Sequence, residues 1–266
     1  MIIFTPAKIN LGLRVLEKRE DGFHNLDSYL YAIPLYDIIE ILPHQSDELV
    51  QTGIPSSATI KNNLVYQALE LLRNDYEIPP LKIHLHKQIP VQAGLGGGSG
   101  NAVGMLQLLN REFDLKIDHE QMLQYAAALG SDCPFFVNAQ PCRISSRGEL
   151  FSSTHLSLKS IHIIVIKPHL AISTAEAFSV IKPSAMSLPE ITSINRKDYQ
   201  NQLLNDFDIA LSAKYPEIQE IKEWLLQQGA FMASLSGSGS AVFGLFEKKP
   251  MIEFPFDAFI WQASML

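Results

Sequence analysis

Residues 90–101 read P-V-Q-A-G-L-G-G-G-S-G-N, with glycine at 94, 96, 97, 98 and 100. The alternating apolar run Leu81–Leu85 comes before it. Val103, Leu106, Leu109 and Phe113 follow at helical spacing. The sequence therefore predicts a strand, a backbone almost bare of side chains, and then a helix running from Asn101 to Phe113. A bare backbone can turn tightly and aim successive N–H groups at one anion. The helix start behind it adds about half a unit of positive charge. Gly/Ser runs are often only linkers, but Leu95 inside this one and regular elements on both sides oppose that reading. No Gly-Lys-Ser/Thr follows, so the P-loop pattern is absent. No acidic residue closes a following βαβ unit, as a dinucleotide fingerprint would require. The stretch reads as a phosphate-binding loop of a nucleotide-handling enzyme.

The chain has 266 residues, is 47% hydrophobic and 18% charged, and carries a formal charge of -7. Such a chain folds around a substantial core. Its net charge argues against general affinity for nucleic acid or anionic membrane, so a phosphate site has to be local. The cysteines are Cys133 and Cys142 alone. They form no disulfide framework, and a reducing cytoplasm is expected. Lys8, Asn10 and Arg14 interrupt the apolar N-terminus, and no basic leader or small-residue cleavage site is evident there. The most apolar run, Ile161–Ile166, stops at Lys167-Pro168, far short of the roughly 20 residues of a membrane span.

Ile9, Leu11, Leu13 and Val15 alternate with polar neighbours and predict a strand. Asp21-Gly22 marks a turn, and Leu30–Leu42 reads as further strand. Asn62-Asn63 precedes a helix over Leu64–Asn74, with Leu64, Ala68, Leu71 and Leu72 inward. Asp118 is placed to cap a helix from His119 to Leu129, which stops at Gly130. Further helices are expected at Gln202–Leu211 and Ile218–Gln228, and strand structure at Phe231–Phe246 around Ser236-Gly237-Ser238-Gly239. Strands and helices mix without a βαβ rhythm, so the fold class is α+β. A soft boundary falls between Thr154 and Ser160.

Several side-chain groupings admit both a structural and a chemical reading. Lys8 and Asn10 share one strand face, which is either solvated or part of a site. Ser131-Asp132-Cys133-Pro134 either caps a short helix or offers Asp132 as the carboxylate that accepts a hydroxyl proton. Phe23 and His24 follow the Asp21-Gly22 turn and either pack locally or flank a planar ring. The Ser234–Ser240 turn is either a hairpin or a second supply of N–H groups. His84 and His86 have no nearby Cys or carboxylate to complete a ligand set and read as two histidines of a half-exposed strand.

These segments, in this order, resemble the GHMP kinases, the group that contains galactokinase, homoserine kinase and mevalonate kinase. Pro6-Ala7-Lys8-Ile9-Asn10-Leu11 resembles a P-A-K-x-N-L opening, and Arg19–His24 an R-x-D-G-[YF]-H segment. Ile89–Asn101 is similar to the I-P-x-x-A-G-L-G-G-G-S loop and Gly130–Pro134 to G-[AS]-D-x-P. Asn205-Asp206-Phe207 matches N-D-[LF], and Ser236–Ala241 matches S-G-[ST]-G-x-x. Two departures are Gly100, where Ser or Ala is frequent, and Gln92, where Gly is frequent; neither removes a backbone N–H.

The resemblance implies a two-domain α+β fold. Residues 1–155 would be like domain 2 of ribosomal protein S5, and residues 156–266 would be ferredoxin-like and complete the substrate cleft. It implies ATP and Mg²⁺ as cofactors, with no metal-ligating side chain singled out. Its implied acceptor is a small molecule, the tertiary hydroxyl of a cytidine-diphospho sugar alcohol of the non-mevalonate isoprenoid route. Lys8 and Asp132 are implied as the catalytic pair, with Asn10 beside the acceptor. His24 and Phe178 are implied to sandwich cytosine, with Phe23 and Thr174 on the substrate side. Implied to hold ATP are Asn63, Pro90, Ala93, Gly94, Leu95, Gly96, Gly97, Gly98, Ser99, Gly100 and Asn101, together with Gly237 and Gly239.

Overall fold

The computed structural model describes residues 1–55 and 59–265. It forms two compact units. The first comprises residues 1–7, 35–91 and 96–140; the second comprises 8–34, 92–95 and 141–266. Two long strands, β1 (Ile2–Lys18) and β2 (His24–Pro43), pair with each other and contribute residues to both units. The units thus interleave along the chain, whereas one boundary near residue 155 would cut it once.

In the first unit β3 (Glu48–Gly53) runs parallel to β4 (Leu81–Lys87), and β4 runs antiparallel to Ile38–Pro43 of β2. Four helices complete it: α1 (Leu64–Arg73), α2 (Gly97–Glu112), α3 (His119–Leu129) and α4 (Cys133–Asn138). The start signals act as read. The Asn63 side chain accepts from Val65 N, and Asp118 with Gln121 forms a capping box. Three details differ from expectation. The buried face of α1 is Val65, Ala68, Leu69 and Leu72, with Leu64 and Leu71 only half-buried. Phe113 is not a core residue but the C-terminal cap of α2. Most important, α2 begins at Gly97 and not Asn101, so three of the glycines form its first turn.

In the second unit Ser28–Leu30 of β2 pairs with β5 (Cys142–Ser145), which pairs in turn with β6 (Leu150–Ser153). A second sheet has the order β10-β7-β9-β8, antiparallel throughout. Its strands are β7 (His162–Lys167), β8 (Met232–Leu235), β9 (Val242–Phe246) and β10 (Phe259–Ser264). Residues 163–166 of β7 are all buried, which is why this strand reads as a continuous apolar run. Helices α5 (Thr174–Ser179), α6 (Tyr199–Gln202), α7 (Asp206–Lys214) and α8 (Pro216–Gln227) join them. The single helix expected at 202–211 is two helices, because the Asn205 side chain accepts from Phe207 N and starts α7 afresh. Pro216 in the first turn starts α8 two residues early. The core joins Leu13 and Val15 of β1 to Ile164, Ile166, Phe207, Leu211, Ile221, Leu225, Leu235 and Val242.

Candidate active site

The second unit gathers residues from four separate stretches. Lys8 and Asn10 stand on the same face of β1 and are 4% and 2% exposed, so that face is not solvated. A buried ammonium needs oxygen partners, and Lys8 Nζ donates to Asn10 Oδ1 at 2.6 Å. Asn10 Nδ2 donates to Ser28 Oγ at 2.8 Å, and Ser28 Oγ donates to Gly12 O at 2.6 Å. This chain of bonds fixes the Asn10 amide with its oxygen toward Lys8. Ser28 shares a β2 face with His24 and Leu26 by strand alternation, a signal legible in the sequence.

The front of the glycine loop is stitched to the same place. Lys8 N donates to Leu95 O at 2.9 Å, Ala241 N donates to Ala93 O at 3.1 Å, and Ser236 Oγ donates to Gly94 O at 2.9 Å. Gly94 has φ +72°, and a Cβ there would lie 1.9 Å from Ser236 O. Only glycine lets the two backbones approach so closely. A Cβ on Gly237 would stand 3.3 Å from both Lys8 Nζ and Asn10 Oδ1. The second glycine turn is therefore more than a hairpin: it lies against the Lys8–Asn10 pair.

His24 and Phe178 stack with ring centroids 5.8 Å apart and planes 24° from parallel. Phe178 also meets Phe207 edge-on at 4.9 Å. Thr174 opens α5 as an exposed residue behind the capping Ser173. Phe23 is not in the stack; it is 57% exposed, and its ring lies under the Arg147 guanidinium at 5.0 Å.

In the first unit, Gly96 takes φ +69° at the N-cap of α2, a left-handed conformation that favours glycine. The N–H groups of the first turn of α2 have no partners within the helix and make an anion-binding end. Gly98 is exposed there, Ser99 is half-buried and Gly97 is buried. Asn101 faces inward and accepts from Thr5 Oγ1 at 2.8 Å, which anchors the helix to β1. A Cβ at Gly100 would fall 2.9 Å from Pro6 O, which explains this departure from the Ser/Ala pattern. Pro90 and Ala93 are buried. Asn63 spends its side-chain oxygen on capping α1.

Lys87 is not among the residues the motifs single out, although its signal is present in the sequence. It occupies the buried parity of β4 after Leu81, Ile83 and Leu85, so a buried counter-charge was required. That charge is Asp37, fully buried on β2 and ion-paired with Lys87. Asp37 Oδ1 also accepts from Gln88 N and Ile89 N at 2.7 and 2.8 Å, which fixes the chain entering the glycine loop. A Cβ at Gly97 would lie 3.3 Å from Lys87 Nζ.

Asp132 stands at the N-cap position of α4, but its carboxylate makes no capping bond. The purely structural reading of Asp132 as a cap is thereby corrected. Next to it, Cys133 is buried against Ser99, and burial, reinforced by the Asp132 charge, pushes its thiol up to about 11. His84 Nε2 and His86 Nδ1 lie 2.8 and 2.9 Å from Thr52 Oγ1. Among the described residues no group of three or more His, Cys, Asp or Glu can hold a metal ion, and no helix is long and apolar enough to cross a membrane.

Two family models match the chain: "GHMP kinases N terminal domain" over residues 63–140 and "GHMP kinases C terminal" over 187–253. A 4-diphosphocytidyl-2-C-methyl-D-erythritol kinase of Parabacteroides distasonis is 43% identical, with 100% of both chains covered. The chain belongs to the GHMP kinases. Among solved structures of the family, a crystal structure of 4-(cytidine 5'-diphospho)-2C-methyl-D-erythritol kinase is 30% identical. It covers 92% of this chain and 90% of its own, with a TM-score of 0.79. The mevalonate kinase of Methanococcus jannaschii, 16% identical with a TM-score of 0.70, covers 100% of this chain and 98% of its own and shares the GHMP kinase fold.

Proposed function

We propose that this GHMP kinase transfers the γ-phosphoryl group of ATP to the 2-hydroxyl of 4-diphosphocytidyl-2-C-methyl-D-erythritol. The observation that carries the reading is the buried hydrogen-bonded row Lys8–Asn10–Ser28, with the Lys8 backbone bonded to Leu95 of the glycine loop and Gly237 lying against Lys8 and Asn10. A polar row buried at that cost in desolvation has a use beyond packing. The relatives named above supply the substrate.

Phosphoryl transfer passes through a loose transition state, so positioning and charge stabilisation dominate. The first turn of α2 is assigned to the ATP phosphates, which its unpaired N–H groups suit. Asp132, at the head of α4, accepts the proton of the attacking hydroxyl. Lys8, aimed by Asn10, stabilises charge that develops during transfer. Mg²⁺ neutralises phosphate charge when bound. Mg²⁺ needs few protein ligands at phosphate sites, and the Ser99 hydroxyl in the first turn of α2 would be one of them. Cytosine is assigned to the gap between His24 and Phe178. Two stacking steps of about 3.4 Å need roughly 7 Å between the rings; the rings now stand 5.8 Å apart and must part slightly to admit it. Stacking is worth roughly 1–3 kcal/mol per base.

The test is ADP release measured with a panel of alcohols, each offered with and without the cytidyl group. The reading expects turnover that depends on the cytidyl group. Equal turnover of a small alcohol lacking it would make the chain a GHMP kinase of different specificity.

A further inference from the structure

Asn205 sits where three parts of the second unit meet, and it is 2% exposed. Its Oδ1 accepts from Phe207 N at 3.0 Å and caps α7. Its Nδ2 donates to Leu235 O at 2.8 Å and to Gly237 O at 2.9 Å. Its backbone bridges to Leu13 of β1, and Leu13 N donates to Leu204 O at 2.9 Å. The next residue, Asp206, accepts from Val15 N at 2.8 Å and pairs with Arg14 at 3.1 Å. One dipeptide is thus bonded both to the strand that carries Lys8 and Asn10 and to the turn whose Gly237 lies against them.

We infer that Asn205 is a positioning residue for phosphoryl transfer, holding the Leu235–Gly237 backbone in register with the Lys8–Asn10 pair. The inference rests on the proposed function. Capping alone does not account for the residue. An N-cap needs only a side-chain acceptor, which Asp or Ser supplies equally well. The two bonds to carbonyl oxygens need an NH₂ group, and a single planar amide is the side chain that provides an acceptor and two donors at this reach. An ionised aspartate at this position would keep the cap and set a carboxylate against two carbonyl oxygens.

The variant Asn205→Asp separates the two roles. The expected result is a fall in kcat of at least roughly tenfold per folded molecule, with KM for ATP changed less than about threefold. The gap to wild type should narrow as pH is lowered, because the buried carboxyl has a raised pKa and, once protonated, regains one donor. Amide hydrogen exchange, followed without substrate, gives a second readout. The hydrogen-bonded amides of Ser236, Gly239 and Ala241 should exchange faster in the variant, and those of the first turn of α7 should not. Asn205→Ser, a neutral cap, serves for the same comparison if the Asp variant does not fold. Unchanged exchange across 236–241, or a wild-type kcat at every pH, overturns the inference. If the wild-type chain turns over no cytidyl alcohol, the proposed function fails on its own, and the exchange comparison still decides the role of Asn205.

Discussion

Asp132 and His24 are proposed for separate tasks. Asp132 is half-buried at the head of α4 without capping it. General-base contributions run from about 10² to 10⁴. Asp132→Asn should therefore lower kcat at least ~100-fold and leave KM for both substrates nearly unchanged; steady-state kinetics giving a near wild-type kcat would remove its role. His24 already stacks on Phe178. With roughly 1–3 kcal/mol per stacked base, His24→Ala should raise KM for the cytidyl substrate while KM for ATP stays put. Parallel rises in both would refute the cytosine assignment. Lys8 and Asn10 were legible as a same-face pair, but their burial was not. Strand alternation says which side a residue faces, not what the rest of the chain lays over that side. Lys87 teaches the converse, since a lysine at the buried parity of an apolar strand by itself implies a hidden carboxylate.

Among the elements, the glycine stretch divides its labour. Its front, Ala93–Leu95, is bonded to Lys8 and to the 236–241 turn, whereas Gly97 onward is helix. The sequence predicts a late helix start because glycine is a poor helix former; a first turn whose N–H groups serve an anion tolerates it. Gln92 remains the irregular position, with φ +51° where the family often has Gly. A left-handed non-glycine residue costs about 1–2 kcal/mol, and the extra freedom of glycine in the unfolded chain gives back about 0.5–1 kcal/mol. Gln92→Gly should therefore stabilise the protein by about 0.5–1 kcal/mol, a rise of a few degrees in Tm by calorimetry. A lower Tm would mean that the Gln92 side chain makes contacts worth more than the strain. Helix starts marked by a side-chain cap are legible in the sequence at Asn63 and Asp118, whereas the start of α7 is hidden because its cap, Asn205, lies inside an apparently continuous helical pattern.

For the whole molecule, the α+β class was legible from mixed periodicities, but the two interleaved units were not. A strand such as β1 reads the same whether its residues serve one compact unit or two. Both thiols are held in the folded chain: burial pushes Cys133 up to about 11 and Cys142 up to about 12. Only the thiolate reacts, so alkylation at about pH 8, below the ordinary thiol pKa, should be slow in the native protein and should accelerate sharply on unfolding in denaturant. Fast labelling of either cysteine under native conditions would be incompatible with thiols held so far above their ordinary pKa. The functional assignment stands or falls on whether this GHMP kinase phosphorylates one hydroxyl of a cytidyl sugar alcohol. The decisive experiment is mass spectrometry after incubation with ATP, Mg²⁺ and 4-diphosphocytidyl-2-C-methyl-D-erythritol. The expected product is heavier than the acceptor by one phosphoryl group, forms in step with ADP and is lost in Asp132→Asn. ADP formation with the acceptor unchanged in mass would refute the assignment.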